Sequence, residues 1–307
     1  GPKGTTVELA IYQAFRFEFD LGKAALLSLI QFAICAVAAM AVWRVRLPAG
    51  LGGGMDRTVE RWGIHTPAQR LLDATLIGLA ALFLLLPLAA IVARGLPGLA
   101  DLPPTVLAAT LRSLAVALAS VVLTLWLALS LAQFGLSGRG AWAEALAALS
   151  VAVSPLVIGT GLFLAIFPFA DPMALALPIT ALVNALMSLP FAYRAIAPAW
   201  AEAESVHGRL ADALGIRGLA RLRHVIQPRL TRPVGFSAGL AAARSMGVLG
   251  VSALLSDPER ATLPMQLYGL MSGYRMDQAA GVALLLLGCS LGLFWIFDRG
   301  GRAGAEV

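Results

Sequence analysis

Charge is what this chain has least of. Only 13% of its 307 residues are charged, where a soluble domain would carry roughly 25%. A soluble globular protein is therefore excluded, and a bilayer-spanning one is the natural reading. Lysine is nearly absent: Lys3 and Lys23 are the only two, and all other fixed positive charge is arginine. Neither lysine sits in a GxxxxGK-Ser/Thr loop, so the chain has no phosphate loop with which to use ATP itself. Cysteine is scarce as well. Cys35 and Cys289 fall in apolar runs and read as small hydrophobes rather than a disulfide or a metal pair. His65, His207 and His224 are scattered without HExxH or any other ligand spacing, which argues against a metal site. No Ser-His-Asp arrangement follows from spacing, and no cluster of His, Asp or Cys at the run ends supports a membrane-embedded enzyme. Acidic residues are missing from the centres of the apolar runs, which counts against an ion-coupled secondary transporter.

What fills the chain instead is apolar: 59% of residues are hydrophobic and the mean hydropathy is +0.82. About 20 such residues cross a bilayer. Seven runs reach that length, at about Leu21–Val42, Leu71–Val92, Val106–Ala132, Ala143–Phe167, Met173–Ala192, Val234–Leu255 and Ala279–Phe297. The fold class is all-α, a polytopic membrane protein of about seven transmembrane helices. A pI near 10 could point to nucleic acid. The arginines, however, lie in loops beside apolar runs, which fits the positive-inside rule and leaves no nucleic-acid partner. If the first run passes from outside to inside, the inner segments hold 15 arginines and the outer ones 5 basic residues. The start of the chain is then outside and the C-terminus in the cytoplasm.

The chain also repeats itself. "PKGTTVELAIYQAFRFEFDLGKAALL" from Pro2 resembles "PERATLPMQLYGLMSGYRMDQAAGVALL" from Pro258. Pro2, Thr6 and Tyr12 fall on Pro258, Thr262 and Tyr268, and one extra residue brings Asp20 onto Asp277. Internal repeats are common in transport folds. The repeat makes residues 1–43 an outer segment and the last span of a preceding half. Residues 71–298 become a second half with six spans. Residues 44–70, rich in glycine, form a cytoplasmic linker, and 299–307 a cytoplasmic tail. An odd number of spans and the lack of an initiator Met fit a C-terminal piece of a longer protein.

Between the fifth and sixth runs lies a basic, helix-prone loop, 194–232, containing "RLADALGIRGLARLRHVIQPRL". "ADALG" predicts a short helix ended by Gly215. A second helix should begin near Arg217 and stop before Pro228. In it Leu219, Leu222 and Val225 form a narrow apolar stripe, with Arg217, Arg221 and His224 on another face. Such a helix-turn-helix suits either anionic lipid or a cytosolic partner. Inside the runs, Arg244 and Asn184 are polar; Arg112 lies nearer an outer end. A charge at mid-bilayer is costly, so Arg244 should face protein or a watery path. Asn184 reads as a helix–helix hydrogen bonder, and Gly235, Gly239, Gly247 and Gly250 as sites of close helix packing.

That loop resembles the one carried by permeases of ATP-binding-cassette importers, whose pattern is EAA, three residues, Gly, nine residues, Ile or Val, one residue, Leu-Pro. Gly215, Val225 and Pro228 keep the spacing and Ala211 fits the second alanine. Arg209, Leu210 and Gln227 replace the usual Glu, Ala and Leu. "TLRSLAVALASVVLTLWLALSLA" from Thr110 looks like the family's Asn-Ser-Leu segment, with Arg112 for Asn. "SMGVLG" from Ser245 looks like its Ser-x-Gly-acid-Phe-Gly segment, with Val248 for the acid. The two repeated segments are most similar to the fused two-half permeases of thiamine importers, and the resemblance covers essentially the whole chain.

The resemblance implies a type I importer core in a bacterial inner membrane, non-catalytic, with no cofactor of its own. It implies a cytosolic ATPase dimer that binds ATP and Mg²⁺ and docks on Arg209, Ala211, Asp212, Gly215, Arg217, Arg221, Val225 and Pro228. It implies a periplasmic substrate-binding protein at the outer segments, near residues 1–20 and 256–277, the missing N-terminal half of the same permease, and the lipid bilayer. The translocation path would pass Arg244, Ser245 and Asn184, with Tyr268 and Tyr274 as outer aromatic surfaces. The cargo would be thiamine or its phosphate esters; ferric iron or another small solute is the alternative.

Overall fold

The computed structural model describes residues 6–44, 67–152, 154–255 and 260–304. The linker region is outside these limits apart from its two ends. Thr6 opens the first helix, α1 (Val7–Arg16), its hydroxyl accepting from the Leu9 amide at 3.3 Å. Asp20 plays the same part for α2 (Leu21–Arg44), accepting from Lys23 N at 2.9 Å. After the linker come α3 (Pro67–Gly98) and α4 (Thr105–Phe134). A turn at Gly135–Arg139 follows, where Gly138 takes a φ of 80° that a side chain would resist.

The run expected at Ala143–Phe167 is not one helix. It is α5 (Gly140–Ala152) and α6 (Pro155–Ile166). Ser154 accepts from the Leu156 amide at 3.3 Å and Pro155 follows it, a start signal that interrupts the apolar run. Six segments among the described residues are long and apolar enough to cross a membrane on their own. The crossing assigned to the fourth run is shared by α5 and α6, which lie one after the other along α2 and α7.

The longest helix is α7 (Ala176–Ala213). Then come α8 (Gly218–Arg221), a π-helical stretch at Leu222–Ile226, α9 (Gln227–Gly247), α10 (Gly250–Leu255), α11 (Leu263–Ser272) and α12 (Met276–Ala303). Of the apolar window in α7, 72% is buried, against none of that in α3, so α7 is the central helix and α3 a peripheral one. α4 and α9 flank α7, α12 lies along α9, and α3 lies along α12.

Small residues set the spacing of the last two contacts. A Cβ on Gly235 would meet the Gly301 Cα at 2.6 Å, and one on Gly239 the Phe294 carbonyl at 2.8 Å. Gly95 and Gly98 meet Ala280 and Gly281 across α3 and α12 in the same way. Gly247 has nothing within 4 Å and Gly250 only Pro155 and Leu156 at 3.9 Å, so neither serves close helix packing as the sequence had predicted.

Candidate functional site

One end of the bundle is built on the tail of α7. "ADALG" is not a separate short helix: it is the last turn of α7, which runs unbroken from the core. Gly215 ends it with a φ of 68°, and the Ile216 amide bonds back to the Ala211 carbonyl at 2.9 Å. This is a glycine stop of the Schellman kind. The return helix does not halt at Pro228 either. Pro228 occupies the first turn of α9, where a missing N–H costs little. The Gln227 amide reaches back to Leu222, one residue further than in an α-helix, and the helical path widens into the π stretch ahead of the proline.

Arg221 locks this turn. Its guanidinium pairs with Asp212 at 2.6 Å and with Glu204, about two turns earlier on α7. These two acids, Asp212 first, hold its pKa above the ordinary arginine value. Gly208 makes room for it: a Cβ there would lie 2.9 Å from the Arg221 Nη2. Arg221 and Asp212 are therefore tied to each other and do not stand free as a docking charge. The exposed arginines around the turn are Arg209, Arg217, Arg223, Arg229 and Arg232, and His224 is exposed beside them. Ala211 is buried at 2% exposure, Val225 is half-buried, and Gly215 and Pro228 are exposed. Beside Arg221, a cleft lined by Gln133, Ser137, Trp200, Glu204 and Ile226 lies between the turn and the end of α4. Sequence spacing missed Glu204 and Gly208, because an ion pair to a residue nine or seventeen positions away has no linear signature.

The second polar group lies at mid-bundle, where α4, α7 and α9 meet. Asn184 donates to the Ser245 hydroxyl at 2.8 Å, and the Ser245 and Ser120 hydroxyls lie 3.1 Å apart. Ser120 also bonds the Ala181 carbonyl at 3.1 Å, and Thr124 the Ala185 carbonyl at 3.4 Å. Asn184 and Ser245 are buried, so they join helices. Arg244 points elsewhere. It is exposed and stacks over the Phe191 ring, 4.8 Å from its centroid. The three residues expected along one path thus divide, two into the packed core and one onto an open face. Arg112, in the N-terminal part of α4, donates to the Ala261 carbonyl at 3.3 Å and Ser113 accepts the Leu263 amide at 2.8 Å, which ties α4 to the start of α11.

Long apolar helices around a mostly buried central one, with a folded basic turn at one end, define a polytopic all-α membrane protein. No protein-family model matches the chain. Its relatives are more informative. It is 35% identical over 316 residues to the thiamine transport system permease protein ThiP of Brucella abortus, covering 100% of this chain and 58% of that relative. ThiP of Salmonella typhimurium is 35% identical over 97% of the chain, and that of Escherichia coli 32% over 97%. The chain is similar to thiamine transport permeases along essentially its whole length, as the resemblance in the sequence implied. It spans 58% of the length of these relatives.

Proposed function

We propose that the chain is the C-terminal part of the membrane subunit of an ATP-driven importer of thiamine or its phosphate esters. The observation that carries this reading is the similarity to thiamine transport permeases across the entire chain. The protein sits in the bacterial inner membrane, with α1 and α11 outside and the α7–α9 turn in the cytoplasm. A separate ATPase dimer binds ATP and Mg²⁺ and docks at that turn. A periplasmic binding protein delivers cargo at the opposite end. This chain performs no hydrolysis; it transmits movement. A turn fixed by a glycine stop and by the Arg221 ion pairs, on a helix continuous with the core, can pass a push from the ATPase to the mid-bundle without dissipating it.

The open face carrying Phe191 and Arg244 is the side of the bundle that meets the path. A charge at mid-bilayer costs several kcal/mol when it faces lipid, so this face turns to protein or water. Arg244 covers one face of the Phe191 ring, and its guanidinium would attract the phosphate of a thiamine ester rather than the thiazolium that thiamine and its esters share.

Uptake of labelled thiamine by cells carrying the whole operon, compared with cells lacking this subunit, tests the reading. Uptake should vanish in the deletion and return with the gene. Equal thiamine uptake in both, with iron uptake lost in the deletion, would assign the protein to iron instead.

A further inference from the structure

The two copies of the repeat fold alike. Each begins with a threonine, Thr6 or Thr262, followed by a helix of ten residues, α1 or α11. Each ends in a corner held by an aromatic residue of positive φ: Phe19 at 52° and Tyr274 at 56°. These are the two non-glycine residues of positive φ among the described ones, a conformation that bulky side chains seldom adopt. A long apolar helix, α2 or α12, leaves each corner. The register past the corner differs from the sequence alignment: Asp20 precedes α2, whereas Asp277 lies inside the first turn of α12.

The copies differ in what covers them. α1 packs on α6 and α10. Phe15 is 6% exposed and its ring stands edge-on to Phe163, with centroids 4.8 Å apart. Tyr12 packs at the margin of the same cluster. The matching positions on α11 are Met271 and Tyr268, and each is 49% exposed. The opposite side of α11 is the covered one. Leu263 is fully buried in a cluster with Val106, Met246 and Val282, while its counterpart on α1, Val7, is 38% exposed. At these positions what one copy buries the other leaves open, while Ala14 and its counterpart Leu270 are buried in both.

Two copies of one motif with complementary open faces are what a two-fold arrangement of two halves produces, since each interface is then made twice. Resting on the reading of the chain as part of a two-half permease, we infer that Tyr268 and Met271 form the second instance of the contact that Tyr12 and Phe15 make here. They seat on a preceding half's counterparts of α6 and α10. Val7 in turn is covered by that half's counterparts of α4 and α9. The matched relatives have length for this: the 316 aligned residues are 58% of the Brucella abortus protein, and the remainder is longer than the Pro67–Leu255 stretch that carries α3 to α10.

The test uses the complete permease, with Cys35 and Cys289 replaced by alanine and a protease site placed in the linker after Arg44. One variant carries Phe15→Cys and Phe163→Cys. A second carries Met271→Cys and a cysteine at the first-half residue aligned with Phe163; a third uses Tyr268→Cys in place of Met271→Cys. A fourth pairs that first-half cysteine with Trp295→Cys, on the far part of α12. Membranes are treated with a short bismaleimide, cut at the linker and run on a denaturing gel. The first three should keep the two fragments joined and the fourth should not. Joining in the first variant with none in the second and third overturns the inference. So does joining in the fourth as efficient as in the second. Thiamine uptake by the same cells separates the readings: uptake without the second and third links rejects this interface and leaves the importer standing, whereas the links without uptake do the reverse.

Discussion

Gly235 and Gly301 show how a single missing methyl group shapes this protein. Backbone faces backbone there, so no flexible side chain can move aside for a Cβ. Gly235→Ala should therefore destabilise the fold by about 1–3 kcal/mol, the usual penalty for overpacking. Gly247→Ala, with open space around it, should leave the unfolding midpoint in detergent unchanged or slightly raised. Equal midpoints for both variants would contradict the packing described for α9 and α12. Arg221 gives the second residue-scale prediction. Because it ties Asp212 and Glu204 together, Arg221→Gln should make Arg217 and Arg223 more susceptible to trypsin in inside-out vesicles. Arg209→Gln, which removes an exposed charge, should leave cleavage there as it was. Identical cleavage in the two variants would mean that Arg221 does not hold the turn.

At the scale of elements, the proposed function makes the turn after α7 the part that an ATPase would push. Gly215 sits at a φ that costs an L-residue roughly 1–2 kcal/mol. Gly215→Val should leave the protein inserted yet uncouple ATP hydrolysis from uptake; normal coupled transport by that variant in vesicles would remove the turn from this role. Much of this element was legible in the sequence. The distance from Gly215 to Pro228 and the arginines between them were enough to mark a folded turn. The helix limits were harder. Sequence treats Pro228 as a stop, but the π-helical stretch at Leu222–Ile226 widens the path just ahead of it and the helix runs on. It also treats Ala143–Phe167 as a single span, because hydropathy does not register the Ser154–Pro155 start signal. The tertiary ion pairs of Arg221 and the Asn184–Ser245–Ser120 bonds join residues far apart in sequence and could not be read from spacing at all.

For the whole molecule, the apolar runs revealed where the crossing helices lie, because bilayer thickness imposes length on every one of them. Which faces remain open was not legible, since that depends on which helices become neighbours. The arginine bias predicts the orientation. A cysteine replacing Arg217 should be shielded from an impermeant reagent added outside intact cells, and one replacing Arg260 should react; the reverse pattern would invert the protein. The account as a whole rests on ATP-driven thiamine import, and reconstitution measures it most directly. The complete permease, with its ATPase and binding protein, is placed in liposomes loaded with ATP and Mg²⁺, and labelled thiamine and thiamine phosphates are supplied outside. Accumulation should require ATP and all three components. Accumulation without ATP that follows an imposed proton gradient, or ATP-dependent transport that ignores thiamine and its esters, would contradict it.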